Sequence, residues 1–152
     1  MERVFQIFTD GSVIGNPGPG GWAAVLIHRS KNWELSGSSP WTTISQMEIM
    51  AAVEALRLIP HGSVVQLSSD SELLIHGMCF LAGRWQKQGW RNSRGSELQH
   101  QELWRELLGI NARMNIHWRW IRGHSGHPVQ TRADTLAYRA ARTRWANQRM
   151  AA

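Results

Sequence analysis

Apolar positions fall along this chain in two rhythms. Short runs read as strands: Val4 to Phe8, Gly21 to His28, the weaker Trp33 to Trp41, Val64 to Ser69, and Asn115 to Ile121. In the last of these, Ile116, Trp118 and Trp120 alternate with His117, Arg119 and Ile121, as a strand with one covered face requires. Longer stretches with apolar residues three and four apart read as helices. They are Thr42 to Ile59, Ser71 to about Gly83 with a weak point at Gly77, His100 to Asn111, and Thr131 to about Gln148. Ala133, Leu136, Ala137, Ala140 and Ala141 form the apolar stripe of the last helix. Short connections make the first three strands an antiparallel meander, and the helical crossover before Val64 makes the fourth strand parallel to the first. The expectation is one α/β domain over residues 1–152, with a mixed five-stranded sheet flanked by helices.

Two segments interrupt the rhythm. Gly15 to Gly21 is glycine, proline and one asparagine, a stretch that allows close backbone approach. Trp85 to Gly95, W-Q-K-Q-G-W-R-N-S-R-G, reads as a basic, glycine-broken protrusion.

Acidic residues are placed unevenly enough to suggest chemistry. Only three of the 11 acids are aspartates, and Asp10 and Asp70 each directly follow the end of an apolar strand run, V-F-Q-I-F-T and V-V-Q-L-S-S. Asp10-Gly11 is equally compatible with a hairpin turn. Stepping about 100° per residue, Ala51, Ala52, Ala55 and Ile59 fall within about 60° of Glu48, so this acid lies on the face that packs against the sheet. A capping box of Ser45 with Glu48 would explain it locally; a box of Thr43 with Gln46 would leave it unexplained. Asp134 falls in the first turn of the last expected helix, where the macrodipole alone favours an acid. Ahead of it runs Arg122-Gly123-His124-Ser125-Gly126-His127-Pro128, a loop able to move and carrying histidine, the side chain that exchanges protons near neutral pH. The two histidines are also compatible with a zinc half-site, although neither a cysteine nor a third histidine is near. Four carboxylates without a thiolate describe a hard-cation site, for Mg²⁺ or Mn²⁺ in preference to Zn²⁺. Phosphodiester hydrolysis is the chemistry such a set suits.

Charge and composition sharpen this reading. The net charge of +6 divides into four Lys and Arg against seven acids in residues 1–80, and 13 against four in residues 81–152. A basic half behind an acidic site suits a polyanion gripped by one and worked on by the other; a solvated basic face is the plainer alternative. Nine tryptophans are far more than usual for 152 residues, and those in basic surroundings are candidate nucleic-acid contacts. The single Cys79 excludes an internal disulfide framework and fits a reducing, cytoplasmic setting. M-E-R-V-F-Q-I-F reads as a strand start and not as a signal peptide, and no apolar run is long enough to span a membrane.

Five motifs in order then carry a resemblance: T-D-G-S-x-x-G-N-P-G-P-G-G from Thr9, M-E-x-M-A-A from Met47, S-D-S from Ser69, W-x-K-x-G-W from Trp85, and G-H-S-G-H-P from Gly123 with A-D-x-L-A from Ala133. Together they resemble bacterial type 1 ribonuclease H over nearly the whole chain. The resemblance implies the ribonuclease H-like fold and an endonuclease that cuts the RNA strand of RNA·DNA hybrids, leaving 5′-phosphate and 3′-hydroxyl ends with two Mg²⁺ ions. Position by position it implies Asp10, Glu48, Asp70 and Asp134 as metal ligands and His124 as an aid to proton transfer or product release. Gly11, Ser12 and Asn16 would lie along the substrate, and Thr43 would hold a phosphate of the DNA strand. Trp85, Lys87, Trp90, Arg91 and Trp104 would form a ledge beneath that strand. A monomer with no obligate protein partner is expected.

The chain departs from the family around the groove. Ile44-Ser45-Gln46 stand where Asn-Asn-Arg is common, Trp41 where a base is frequent, and Glu72 where Gln is usual. Gln86 and Gln88 thin the charge of the protrusion, and Gln130-Thr131 replace a usual Asn-Glu. These changes keep two other readings open: a nuclease of the same fold with a different substrate, and a binding module without catalysis.

Overall fold

A computed structural model describes residues 4–151; the reading of the N-terminus lies in part outside them, at Met1 to Arg3. β1 (Val4–Val13), β2 (Gly18–His28) and β3 (Lys31–Thr42) form the antiparallel meander. β4 (Val64–Ser69) pairs with β1 in parallel and β5 (Asn115–Trp120) with β4 in parallel, giving the order β3-β2-β1-β4-β5. This is the mixed sheet that the hydrophobic pattern predicts. The strand bounds differ: β1 runs on to Val13 because Asp10 to Val13 pair with Ala23 to Gly20, so the glycine-rich stretch is half loop and half strand. Glycines without side chains are hidden from a rule that searches for apolar runs.

Period-two alternation sends neighbouring residues of β1 to opposite layers. Ile7 joins Leu67, Ile49, Val53, Leu56, Trp104 and Leu107 in the larger core, under α1 (Ile44–Leu56) and α4 (Gln101–Asn111). Phe8 joins Val25 and Ala133 in the smaller one, under α5 (Pro128–Ala151). Ala133, Ala137 and Ala141 are fully buried, so the small-residue stripe brings the α5 backbone down onto the sheet.

Local chemistry sets where the helices begin. The Thr43 hydroxyl accepts from the Gln46 N–H at 3.2 Å and caps α1, while the Gln46 side chain accepts from the Thr42 hydroxyl at 2.8 Å. Thr43, and not Ser45, is therefore the cap, and Glu48 is free of it. α5 starts earlier than its apolar stripe suggests, with Pro128 at a position where its missing N–H costs nothing. Asp134 thus lies beyond the first turn, which removes the macrodipole as its explanation.

The helix expected to end near Gly83 continues. α2 (Glu72–His76) passes through a π-helical turn (Gly77–Leu81) into α3 (Ala82–Lys87). Trp85 belongs to that helix and not to a protruding loop. The loop proper follows it, where the backbones of Arg91 and Glu97 pair in an isolated antiparallel β-bridge. A Cβ on Gly77 would lie 2.5 Å from the Trp104 ring, so the glycine at the π turn is what admits that indole. Among the described residues no helix is long and apolar enough to cross a membrane.

Candidate metal centre

The acids meet where the sheet narrows. The β1–β4 ladder ends at Thr9 opposite Ser69, so Asp10 and Asp70 are the next residues on two adjacent parallel strands. Glu48 reaches them from α1. That approach depends on Gly11, where a Cβ would come within 2.9 Å of the Glu48 backbone nitrogen and of the Met47 Cβ. With hydrogen in that place, one carboxylate oxygen each of Asp10, Glu48 and Asp70 lies within 4.8 Å of the others. Asp134 faces the group from α5: together with Asp10, Asp70, His124, Ser125, His127, Gln130 and Thr131 it lines a cavity of about 40 Å³. Asp10 and Asp70 are shared, with Glu48 on one side and Asp134 on the other.

Crowding of like charges marks the site. Burial pushes the Asp10 carboxyl up to about 8, the Asp70 charge adds to this, the Gly11 N–H opposes it, and Asp134 and Glu48 contribute further. That N–H donates to Asp10 Oδ1 at 2.8 Å. Glu48 is raised chiefly by burial, with the Ser71 hydroxyl working against it and Asp70 adding to it. Asp70 is also raised, by burial first and then by Asp134, while His124 draws it down. Carboxylates this close, beside a cavity with room for a few water-sized guests, fit a small hard cation: the clustered donors are carboxylate oxygens, and no Lys or Arg lines the cavity.

His124 is exposed on the loop between β5 and α5, in the left-handed region at φ 55°. His127 is engaged otherwise. Its ring lies 4.9 Å from Phe8 and its Nδ1 accepts from the Gln130 N–H at 3.4 Å. Among the described residues the group able to hold a metal is Asp10, Glu48 and Asp70, with neither histidine in it.

The other expected contact residues divide. Ser12 is half-buried and Asn16 exposed, and the Asn16 side chain accepts from the Ile44 N–H at 3.1 Å, at the start of α1 beside Thr43. Gly11 is buried beneath α1. Lys87 and Arg91 are exposed, but the ledge expected of tryptophans is a packed cluster: Trp85, Trp90 and Trp104 are only 9 %, 7 % and 2 % accessible. Trp85 and Trp104 meet edge to face at 4.9 Å, and the Arg105 guanidinium lies 5.4 Å above the Trp90 ring. Charge beside a tryptophan in sequence does not reveal which side of a helix the indole takes.

Two residues near the site carry no signal in the hydrophobic pattern. His100, in the left-handed region ahead of α4, places its Nε2 3.4 Å from the Thr43 hydroxyl, and burial lowers its pKa. Gln130 is buried in the wall of the acidic cavity. Only a contact between distant segments makes either visible.

Residues 2–142 match the family model described as RNase H. The chain is 42 % identical over 137 residues to the ribonuclease HI of Caulobacter vibrioides, covering 90 % of this chain and 92 % of that protein. It is 44 % identical over 139 residues to the ribonuclease H of Granulibacter bethesdensis, covering 91 % and 93 %. Among solved structures it is similar to LC9-RNase H1, a type 1 RNase H with the type 2 active-site motif. The TM-score there is 0.84 at 26 % identity, over 95 % of this chain and 74 % of that one. LC11-RNase H1 in complex with RNA/DNA hybrid shares the fold, with a TM-score of 0.68 at 22 % identity over 91 % and 97 %.

Proposed function

The chain belongs to the RNase H family, and on that premise we propose that it hydrolyses the RNA strand of RNA·DNA hybrids at the acidic centre, leaving 5′-phosphate and 3′-hydroxyl ends. The observation that carries this reading is the approach of Asp10, Glu48 and Asp70 to within 4.8 Å of one another. A cluster of carboxylates disfavours an approaching phosphate; it accommodates one only with divalent cations between. When bound, two Mg²⁺ ions, or Mn²⁺ in their place, supply an activated water and stabilise the leaving oxygen of an in-line displacement.

The protein's own groups do the rest. Asp10, Glu48 and Asp70, with Asp134 beside them in the cavity wall, are the residues that would hold the ions. Burial and the neighbouring acids favour the protonated Asp10 carboxyl, and a bound cation would favour the ionised one. His124, exposed at the mouth, takes or gives a proton at a ring nitrogen as the water oxygen adds to phosphorus and the 3′ oxygen leaves. Ser12 and Asn16 run along the cut strand, where the 2′-hydroxyl tells RNA from DNA, with the buried Gly11 contributing only its backbone. Thr43 holds a phosphate of the DNA strand, and Lys87 and Arg91 attract that strand's backbone. Trp85, Trp90 and Trp104 support these charges from below. A cytoplasmic, monomeric enzyme working as one domain completes the reading.

The test is incubation of the purified protein with Mg²⁺ and end-labelled hybrid, duplex RNA and duplex DNA. Cleavage confined to the RNA of the hybrid is expected. Preferential cutting of duplex RNA would assign another substrate, and tight hybrid binding without cutting would leave a binding module.

A further inference from the structure

Gln130 stands in the first turn of α5 and is 4 % accessible. Its Nε2 donates to the Thr9 carbonyl at 3.1 Å, tying α5 to β1 one residue before Asp10, across 121 positions of sequence. A carbonyl oxygen only accepts, so this contact fixes which way round the amide lies: the NH₂ on Thr9 and Oε1 turned away from it. That Oε1 is buried without a partner among the described residues. Thr9 Oγ1, His28 Nε2 and Ser68 Oγ are in the same state, but of the four residues Gln130 alone lines the cavity shared with Asp10, Asp70, His124 and Asp134.

A buried acceptor without a donor is costly, and the cavity has room for water. The carboxylates there are acceptors whose charge is needed for a cation. Water hydrating a cation has its protons turned outward and needs acceptors of its own, and a fifth carboxylate would add to the repulsion already raising Asp10. A neutral amide oxygen supplies the acceptor without the charge.

We propose that Gln130 is a positioning residue of the metal centre: its NH₂ locks α5 against β1 beside Asp10, and its Oε1 accepts a hydrogen bond from water held in the cation cavity. This rests on the metal-dependent reading above, which it deepens. Loss of the amide should weaken cation binding in the range seen when partners of metal ligands are removed.

The experiment is calorimetric titration of Mg²⁺ into the protein without nucleic acid, for wild type, Gln130→Met and Ala137→Gly. The methionine keeps the length of the side chain and removes both hydrogen-bonding groups. Ala137→Gly destabilises the same helix away from the cavity. The expected result is about a tenfold weaker Mg²⁺ affinity for Gln130→Met and an unchanged one for Ala137→Gly. An affinity equal to wild type in Gln130→Met, or an equal loss in both variants, overturns the proposal. Should Gln130→Met fail to fold, the side-chain amide signals of Gln130 in the ¹⁵N spectrum of the wild type decide: they should move on Mg²⁺ addition, and fixed signals at saturation overturn it. If the wild type takes up no Mg²⁺, the metal-dependent reading falls first and this inference with it, which separates the two failures.

Discussion

The cluster of Asp10, Glu48 and Asp70 and the cluster of Trp85, Trp90 and Trp104 are both wholly or partly withdrawn from water, but for opposite reasons. The acids are held together against burial and mutual repulsion, and their carboxyls are raised accordingly. The indoles fill space: Trp85 and Trp104 meet edge to face, and Trp104 rests on Gly77. A group kept under strain awaits a ligand; a group satisfied by its neighbours holds the fold. Substitutions in the two regions should therefore divide cleanly between chemistry and stability.

The largest effect belongs to the acids. Asp70→Asn should lower Mg²⁺-dependent hybrid cleavage by about 10³-fold or more while hybrid binding persists. Substantial turnover in a gel assay would show that Asp70 holds no cation and would erase the contrast. Trp104→Ala should do the reverse. Removing a fully buried indole costs about 3–5 kcal/mol, roughly 10 °C in melting temperature, with near-normal turnover per folded molecule at low temperature. An unchanged melting temperature with weakened hybrid binding would return that tryptophan to the substrate surface.

Asp10 sharpens the comparison, because there function and stability oppose each other. Its carboxyl binds a proton more tightly folded than unfolded, with a pKa of about 8 against an ordinary 3.8. The stability this contributes is present in full below the unfolded value and is lost as pH rises through the folded one. Metal-free protein should accordingly melt lower at pH 9 than at pH 5, and Mg²⁺ should restore it at the higher pH. Asp10→Asn should be inactive yet more stable than wild type near pH 8 without metal, with a flatter dependence of melting temperature on pH by calorimetry. A profile as steep as that of the wild type would place the strain elsewhere. The smallest effect is at the exposed charges: Lys87→Ala and Arg91→Ala should each reduce the salt slope of hybrid binding by about 0.8 without changing turnover at saturation. A slope identical to wild type would remove them from the interface.

The difference between the regions also explains what could be read without coordinates. The antiparallel meander and the parallel fourth strand follow from apolar runs and connection lengths, and Asp10 and Asp70 stand out because aspartate is rare here and these two sit at strand ends. Glu48 needed only helical phase. The extent of β1 was hidden by glycines that pair without apolar side chains, and the start of α5 by a proline ahead of its stripe. The tryptophans misled because sequence shows what lies beside a ring, not what lies over it. His100 was silent and Gln130 stood out only as a departure from the family pattern, since each acquires its surroundings through contacts with residues far off in the chain.

The π turn between Gly77 and Leu81 has a consequence for that helix as a whole. A π turn holds about one residue more than the α-helical turn it replaces, which offsets everything downstream by about 100° around the axis. Trp85 reaches Trp104, and Arg84 and Lys87 look outward, in part because of this added phase and not through their identities alone. Deleting one residue of the turn, Cys79 for instance, would leave every charge in the molecule unchanged and still swing the basic side of α3 toward the core. The electrostatic face of this helix is thus written in a count of residues.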